Sequence, residues 1–405
     1  MKDFGPIIRA LLRNKTGAML IALQIAITMT IMVNAIHMII NRSELMARSS
    51  GLDEANQFVV AQYGYRDDFN EKYVVQTDLD HIRNMPGVVD AIQTNSVPMS
   101  NGGTSMGLQV EPGADKEGLG VAIYMADDHA LNTYGVKLIA GENFDPTEVE
   151  FRDGNTREWP QRAIISKAMA EALFPDLSPQ QVVNKTVYIN RNEPITIAGI
   201  IDQLQAPWVG WDNVERTMIT PIRTMYKFSR YLVRTEPGRR DEVLEAVKSY
   251  LESRDVGRML FPIETISDVR EQSYRDANAM QTILWVIISI LLIVTALGIV
   301  GLVTFTINRR RRQIGTRRAL GASRGDILKY FLLENFVITS AGLLLGIIGS
   351  IGLNIWLVDA FDLPRIGWIY LPVAMVVLWL VGQLAVYGPA AKASRISPAI
   401  ATRNV

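Results

Sequence analysis

The chain has 405 residues, 48% of them hydrophobic and 20% charged, with a positive mean hydropathy and a formal net charge of zero. That balance excludes a soluble globule along its whole length and argues against a nucleic-acid binder. The absence of cysteine excludes disulfide frameworks, iron–sulfur clusters and thiolate zinc sites, and His37, His81 and His129 lie too far apart to share a local metal-ligand spacing.

Four stretches, residues 16–41, 277–308, 335–358 and 366–391, carry no charged side chain. Each exceeds the roughly 20 residues that a helix needs to cross about 30 Å of hydrocarbon, so four transmembrane helices are expected. The first has too long an apolar core, and no A-x-A site, for a cleaved signal, so it reads as a retained span. Lysine and arginine concentrate in residues 1–15, 309–334 and 392–405. Four spans place all three segments on one side, which by the positive-inside rule is the cytoplasm. Residues 42–276 and the short loop 359–365 then face outward.

In chain order, residues 1–15 put Ile7, Ile8, Leu11 and Leu12 on one helical face and Arg9 and Arg13 on the other. An amphipathic helix lying in the membrane interface is expected, with a frayed basic flank as the alternative. Gln24, Thr28, Asn34 and His37 in the first span should face neighbouring helices rather than lipid.

The long outer segment alternates strand and helix signals. A strand is expected at 57–63, a capped helix from Thr77 to a stop at Pro86–Gly87, a strand at 89–97 and a loop at 101–103. Residues 162–175 read as a strand feeding a helix capped by Ser166, and 186–202 as a hairpin turning at 191–193. A strand at 230–235 precedes a helix with Val243, Val247 and Leu251 stacked at i, i+4 and i+8. The expectation is an α+β domain of more than 200 residues, in two lobes, inserted between spans one and two. The acid pairs Asp67–Asp68 and Asp127–Asp128 lie in polar stretches and read as solvated surface. Residues 265–280 are helical in character without a breaker, so a stalk continuous with span two is expected.

Span three places Gly342, Gly346, Gly349 and Gly352 every three or four residues. Small residues at this spacing let helices approach closely, either within the chain or between copies. Span four ends where Pro389 interrupts the helix. No G-x-x-x-x-G-K-[ST], G-x-S-x-G, H-E-x-x-H or C-x-x-C occurs, so neither a P-loop nor a catalytic centre is expected in these 405 residues.

The informative stretch is 309–334; between Arg309 and Lys329 it holds eight basic residues against the single acid Asp326. A basic segment between spans can lie on lipid headgroups or dock a cytoplasmic partner. RRRRQIGTRRALGASRGDILKYFLLE resembles the coupling region of the macrolide-exporter (MacB) and FtsX-like ABC permeases, close to R-R-x-E-I-G-x-R-R-A-L-G-A. Ile314, Gly315, Arg317, Arg318, Ala319, Leu320, Gly321 and Ala322 match that pattern, while Gln313 stands where the family usually has Glu. GENF at 141–144, RAIISKAMAEALFP, VNKTVYIN and ITIAGIID are similar to the family's periplasmic core domain, and GPAAKASRISPAIA to its ending.

The resemblance implies a dimeric permease, with a second identical or homologous copy, bound to a separate cytoplasmic ABC ATPase dimer that carries ATP and magnesium. This chain itself would hold no cofactor. ATP-driven motion would pass mechanically to the periplasmic domain for export in a bacterial inner membrane, where a periplasmic adaptor and outer-membrane channel would be further partners. Lol-type extraction of lipoproteins or lipids and FtsX-like signalling to cell-wall hydrolases are the alternatives. On this reading Gln313 to Gly321 form the ATPase-coupling element, Gly315 permitting a sharp turn and Leu320 anchoring. Arg309–Arg312 chiefly bind membrane lipid.

Overall fold

A computed structural model describes residues 15–361 and 365–397; the expected interfacial helix at 1–14 lies outside them. In chain order the elements begin with α1 (Lys15–Met46), β1 (Gln57–Gly64), α2 (Glu71–Arg83), β2 (Val88–Thr94), β3 (Thr104–Gln109) and β4 (Leu119–Ala126). There follow α3 (Ala130–Tyr134), β5 (Leu138–Gly141), β6 (Glu150–Arg152), β7 (Arg162–Ser166), α4 (Lys167–Leu173), α5 (Pro179–Val182), β8 (Thr186–Ile189) and β9 (Glu193–Ile201). The chain continues with β10 (Thr217–Thr224), β11 (Phe228–Thr235), α6 (Arg240–Ser253), β12 (Arg258–Leu260), β13 (Glu264–Thr265) and α7 (Ile266–Ser273). It closes with α8 (Arg275–Arg309), α9 (Arg311–Ala319), α10 (Arg324–Phe361) and α11 (Tyr370–Ser394). Two compact units result: Ala47–Asp276, and the residues before and after it.

Within Ala47–Asp276 the apolar periodicities build two lobes. In the first, the sheet β12-β1-β11-β2, with β13 paired to β1, packs one face under α2 and α6. Alternate residues of β1 and β11, Phe58, Val60, Tyr231 and Val233, meet Val75 and Leu79 of α2 and Val243, Val247 and Leu251 of α6. The second lobe is a closed barrel: β4-β3-β8-β9-β7-β10 run in order, and β10 pairs back onto β4. Its interior is filled by Leu108, Val121, Ile123, Ile165, Val187, Ile197 and Met218, all buried. Closure removes the sheet edges that would otherwise invite pairing with other chains.

Local signals account for most boundaries. Ser166 caps α4 by accepting from the Met169 amide, and Asn190 and Arg191 take positive φ in the hairpin turn between β8 and β9. Two expectations need correction. The helix expected from Thr77 starts at Glu71, because Asn70 supplies the cap by accepting from the Tyr73 amide. The stalk is not continuous: α7 stops at Tyr274 (φ −98°, ψ 6°), and α8 begins at Arg275. Tyr274 is buried, and its hydroxyl accepts from Gln205 Nε2 at 3.3 Å, so packing into the domain overrides a locally helical sequence.

In the other unit α1, α8, α10 and α11 are long and apolar enough to cross a membrane. α1 is the most enclosed, with Ile25, Met29, Met32 and Val33 almost fully buried, whereas α8 exposes Ile283, Trp285, Ile290 and Leu297. The polar groups of α1 face its neighbours. Thr28 Oγ1 is 2.8 Å from Thr295 Oγ1, Asn34 donates to the Ser350 carbonyl at 3.2 Å, and the His37 ring lies 5.4 Å from that of Tyr370. Each hydrogen bond removes a polar group from hydrocarbon, where an unmet one is costly.

Candidate coupling site

The basic stretch after α8 folds as a short helix and a closed turn. Arg310 leaves helical geometry (φ −97°, ψ 10°), and α9 begins one residue later. Its guanidinium does not face solvent: Arg310 Nη1 donates to Glu334 Oε1 at 3.1 Å and to the Tyr330 hydroxyl at 3.3 Å. Both side chains of the Arg310–Glu334 pair are largely buried. Two turns further on, the Arg317 guanidinium lies 5.0 Å above the Tyr330 ring, a cation–π contact. Contacts from Arg310, just before α9, and from Arg317 within it thus converge on one face of α10.

The exit from α9 is equally defined. Gly321 takes φ +99°, its amide reaches the Arg318 carbonyl at 3.2 Å, and the Ala322 amide reaches the Arg317 carbonyl at 3.0 Å. This is the double closure of a Schellman turn, which needs a residue without a β-carbon at the left-handed position. Arg318 Nη1 donates to the Ala322 carbonyl at 2.8 Å and braces the turn. Ser323 and Asp326 then cap α10 reciprocally, amide to side chain at 2.9 Å and 3.1 Å.

The side chains named from sequence therefore divide. Ile314 and Gly315 are buried; Gln313, Ala319 and Gly321 are exposed; Leu320, at the tip between α9 and α10, is 83% exposed. The expected sharp turn at Gly315 is not there. Gly315 sits inside α9, and the turn is made six residues later at Gly321, where positive φ demands glycine. Arg317, although exposed, stacks on the Tyr330 ring, and the half-buried Arg318 donates across the turn. Tyr330 and Glu334 were not singled out from sequence. The signal was an acid next to the start of an apolar span, which needs a buried cation.

The span-three glycines face α1. A β-carbon built at Gly342 would lie 2.7 Å from the Ala22 carbonyl oxygen, one at Gly346 2.8 Å from Met29 Cβ, and one at Gly349 would run into Thr30 Oγ1. Gly352, the fourth in the spacing, has nothing within 4 Å.

In the inserted domain, Asp127 corrects the sequence reading. It is fully buried, not solvated. Arg83 Nη2 reaches its Oδ2 at 2.7 Å and Arg223 Nη2 at 2.5 Å, while Asp90 lies 3.4 Å from Arg83 Nε and 2.9 Å from His129 Nδ1. Arg83 and Asp90 belong to the α2–β2 lobe, and Arg223 and Asp127 to the barrel strands, so the network bolts the lobes together. Burial pushes the Asp127 carboxyl up, but the two arginines outweigh it and hold the group below its ordinary value. Sequence spacing could not reveal this, because the partners lie 44 and 96 residues away.

Four apolar helices with an α+β domain inserted after the first, and a braced basic turn after the second, define a polytopic membrane subunit of the transporter-permease type. Residues 16–250 match the MacB-like periplasmic core domain and residues 285–398 the FtsX-like permease C-terminal domain. The chain belongs to the MacB-like and FtsX-like family of ABC transporter permeases, and is a membrane protein with a periplasmic domain. It is 28% identical over 293 residues to an uncharacterized ABC transporter permease, YknZ, of Bacillus subtilis (strain 168), covering 68% of each chain. It is 29% identical over 252 residues to the macrolide export ATP-binding/permease protein MacB of Rhodospirillum rubrum, covering 59% of this chain and 37% of that one. A crystal structure of the periplasmic region of MacB from Actinobacillus actinomycetemcomitans aligns with 56% of this chain and 97% of its own, at 13% identity and a TM-score of 0.33.

Proposed function

We propose that this chain is the permease subunit of a MacB-like ABC transporter in a bacterial inner membrane. On this reading the α9 turn docks into a groove of a cytoplasmic ATPase dimer, which binds ATP and magnesium. ATP-driven motion then passes through α8 and α10 to the periplasmic domain, moving cargo outward by mechanical transmission rather than through a polar path between the spans. A second permease copy, identical or homologous, completes the assembly, and a periplasmic adaptor with an outer-membrane channel would extend it.

One observation carries the reading: an almost fully exposed leucine, Leu320, stands at the tip of a turn braced by Arg317 on Tyr330 and Arg318 on the Ala322 carbonyl. A large apolar side chain on a rigid knob is the form taken by an interface anchor, because little side-chain entropy is lost when it is covered. Burying it contributes about 1.5–3 kcal/mol, or roughly 10- to 150-fold in affinity. Co-expression of the chain with the ATPase of its own operon, followed by affinity capture, tests this. Leu320→Asp is expected to abolish capture, while Arg324→Gln at the exposed start of α10 retains it, both variants eluting as the wild type does on gel filtration. Undiminished capture by Leu320→Asp would refute the docking claim.

A further inference from the structure

The ends of α8 and α11 that carry the basic residues enclose a cleft of about 440 Å³. Val300, Ile307, Pro389 and Ile396 form apolar walls, and Arg311 and Lys392 stand among the lining residues. Among the described residues, no carboxylate lines this cleft. Among the described residues, neither the Arg311 nor the Lys392 side chain has an ion-pair or hydrogen-bond partner. A second cavity, of about 210 Å³ between α1, α8 and α10, differs in that a carboxylate lines it: Glu334 stands there beside Arg309 and pairs with Arg310. Two uncompensated cations above an apolar wall, where two spans end, call for an anion with a hydrocarbon body.

We propose that this cleft is a site for one anionic phospholipid, whose phosphate sits between Arg311 and Lys392 and whose acyl chain follows Val300 and Ile307 into the bilayer. The volume falls within the range of small-molecule clefts, about 300–1,000 Å³. The level is right, since Arg311 lies two residues beyond the end of α8, and Lys392 lies in the last turn of α11. A soluble anion would leave the apolar wall wet, whereas a lipid covers both parts of the cleft. Arg311 is also the first residue of α9, so the phosphate lies beside the N-terminus of the coupling helix, where the helix dipole favours an anion. The site therefore ties the composition of the inner leaflet to the position of the coupling turn. It stands whether or not an ATPase docks there.

Native mass spectrometry of the full chain in detergent, titrated with phosphatidylglycerol or phosphatidylcholine, tests the proposal. One tightly held phosphatidylglycerol per chain is expected, with no equivalent phosphatidylcholine. At ~1 kcal/mol for each cation near an anionic headgroup, the pair Arg311→Gln/Lys392→Gln loses about 30-fold in affinity. The charge-matched pair Arg312→Gln/Arg324→Gln, outside the cleft, and the exchange Arg311→Lys/Lys392→Arg are both expected to retain it. A second readout needs no variant: phosphatidylglycerol slows acylation of Lys392 in the wild-type chain, and glycerol phosphate does not. Equal losses in the two Gln pairs would show diffuse attraction and overturn the site. So would equal protection by glycerol phosphate, which makes it a site for a free phosphate, or an unchanged acylation rate with lipid.

Discussion

Gly342 and Gly352 lie on the same helix and invite the same substitution, which makes them a controlled pair. An alanine β-carbon at Gly342 would meet the Ala22 carbonyl oxygen at 2.7 Å and Ile25 Cβ at 2.9 Å, while at Gly352 it would meet nothing within 4 Å. Replacing glycine by alanine in a helix interior gains about 0.8–1 kcal/mol, and that gain applies at both positions and cancels between them. What remains is the contact. A backbone carbonyl cannot swing aside as a side-chain tip can, so α1 must move bodily, and overpacking of this kind costs about 1–3 kcal/mol. Gly342→Ala is therefore expected to be less stable than Gly352→Ala by ~1–3 kcal/mol, at about 2–4 °C in melting midpoint for each kcal/mol in a unit of this size. Thermal unfolding of both variants, followed by intrinsic fluorescence in detergent, gives the comparison. Equal midpoints would mean that α1 and α10 do not approach as closely as the structure has them, and the glycine spacing would then have to serve contacts between copies.

Three other outcomes follow from buried charge. Asp127→Asn leaves Arg83 and Arg223 buried around a neutral amide; a loss of about 3–5 kcal/mol is expected, seen as faster proteolysis of the inserted domain in the full chain. Glu71, at the start of α2, has its carboxyl pushed up to about 7 by burial, only partly opposed by a hydrogen bond from Ser229. A raised carboxyl favours the protonated folded state, so its stabilisation is complete below about 4.5 and is lost as pH rises through about 7; Glu71→Gln should remove that slope in melting midpoint against pH, with an upper bound of about 3 kcal/mol. Glu334→Gln removes the charge facing Arg310 and should cost about 1–3 kcal/mol, read as faster amide exchange across Arg311–Ala319, with unchanged exchange counting against the brace.

The parts of the fold that rest on local periodicity were legible in the sequence. Uncharged length marked the spans, the Val243–Val247–Leu251 spacing marked α6, and Ser166 marked the strand-to-helix step into α4. What escaped depends on partners far along the chain. Asp127 reads as surface because its neighbours in sequence are polar, and it is buried because Arg223 arrives from a strand 96 residues away. Tyr274 ends a helix that local propensity would have carried on, because Gln205 holds its hydroxyl inside the domain. Closure of the barrel through β4 and β10 is likewise a pairing that no local pattern encodes.

At the coupling turn both kinds of information meet. The motif located the segment, but assigned its turn to Gly315 and Arg309–Arg312 to membrane lipid. The hydrogen bonds place the turn at Gly321 and tie Arg310 to Glu334 and Arg318 to the Ala322 carbonyl, while the exposed Arg317 stacks on the Tyr330 ring. That redistribution separates two roles that a run of arginines had merged. Arginines paired within the chain make the knob rigid, which leaves Leu320 as its apolar tip and Arg311 as a cation still uncommitted. A rigid tip transmits displacement without absorbing it in side-chain motion. If the turn couples to an ATPase as proposed, a perturbation that loosens the brace without touching the tip should weaken transmission before it weakens docking, and Glu334→Gln and Leu320→Asp separate the two.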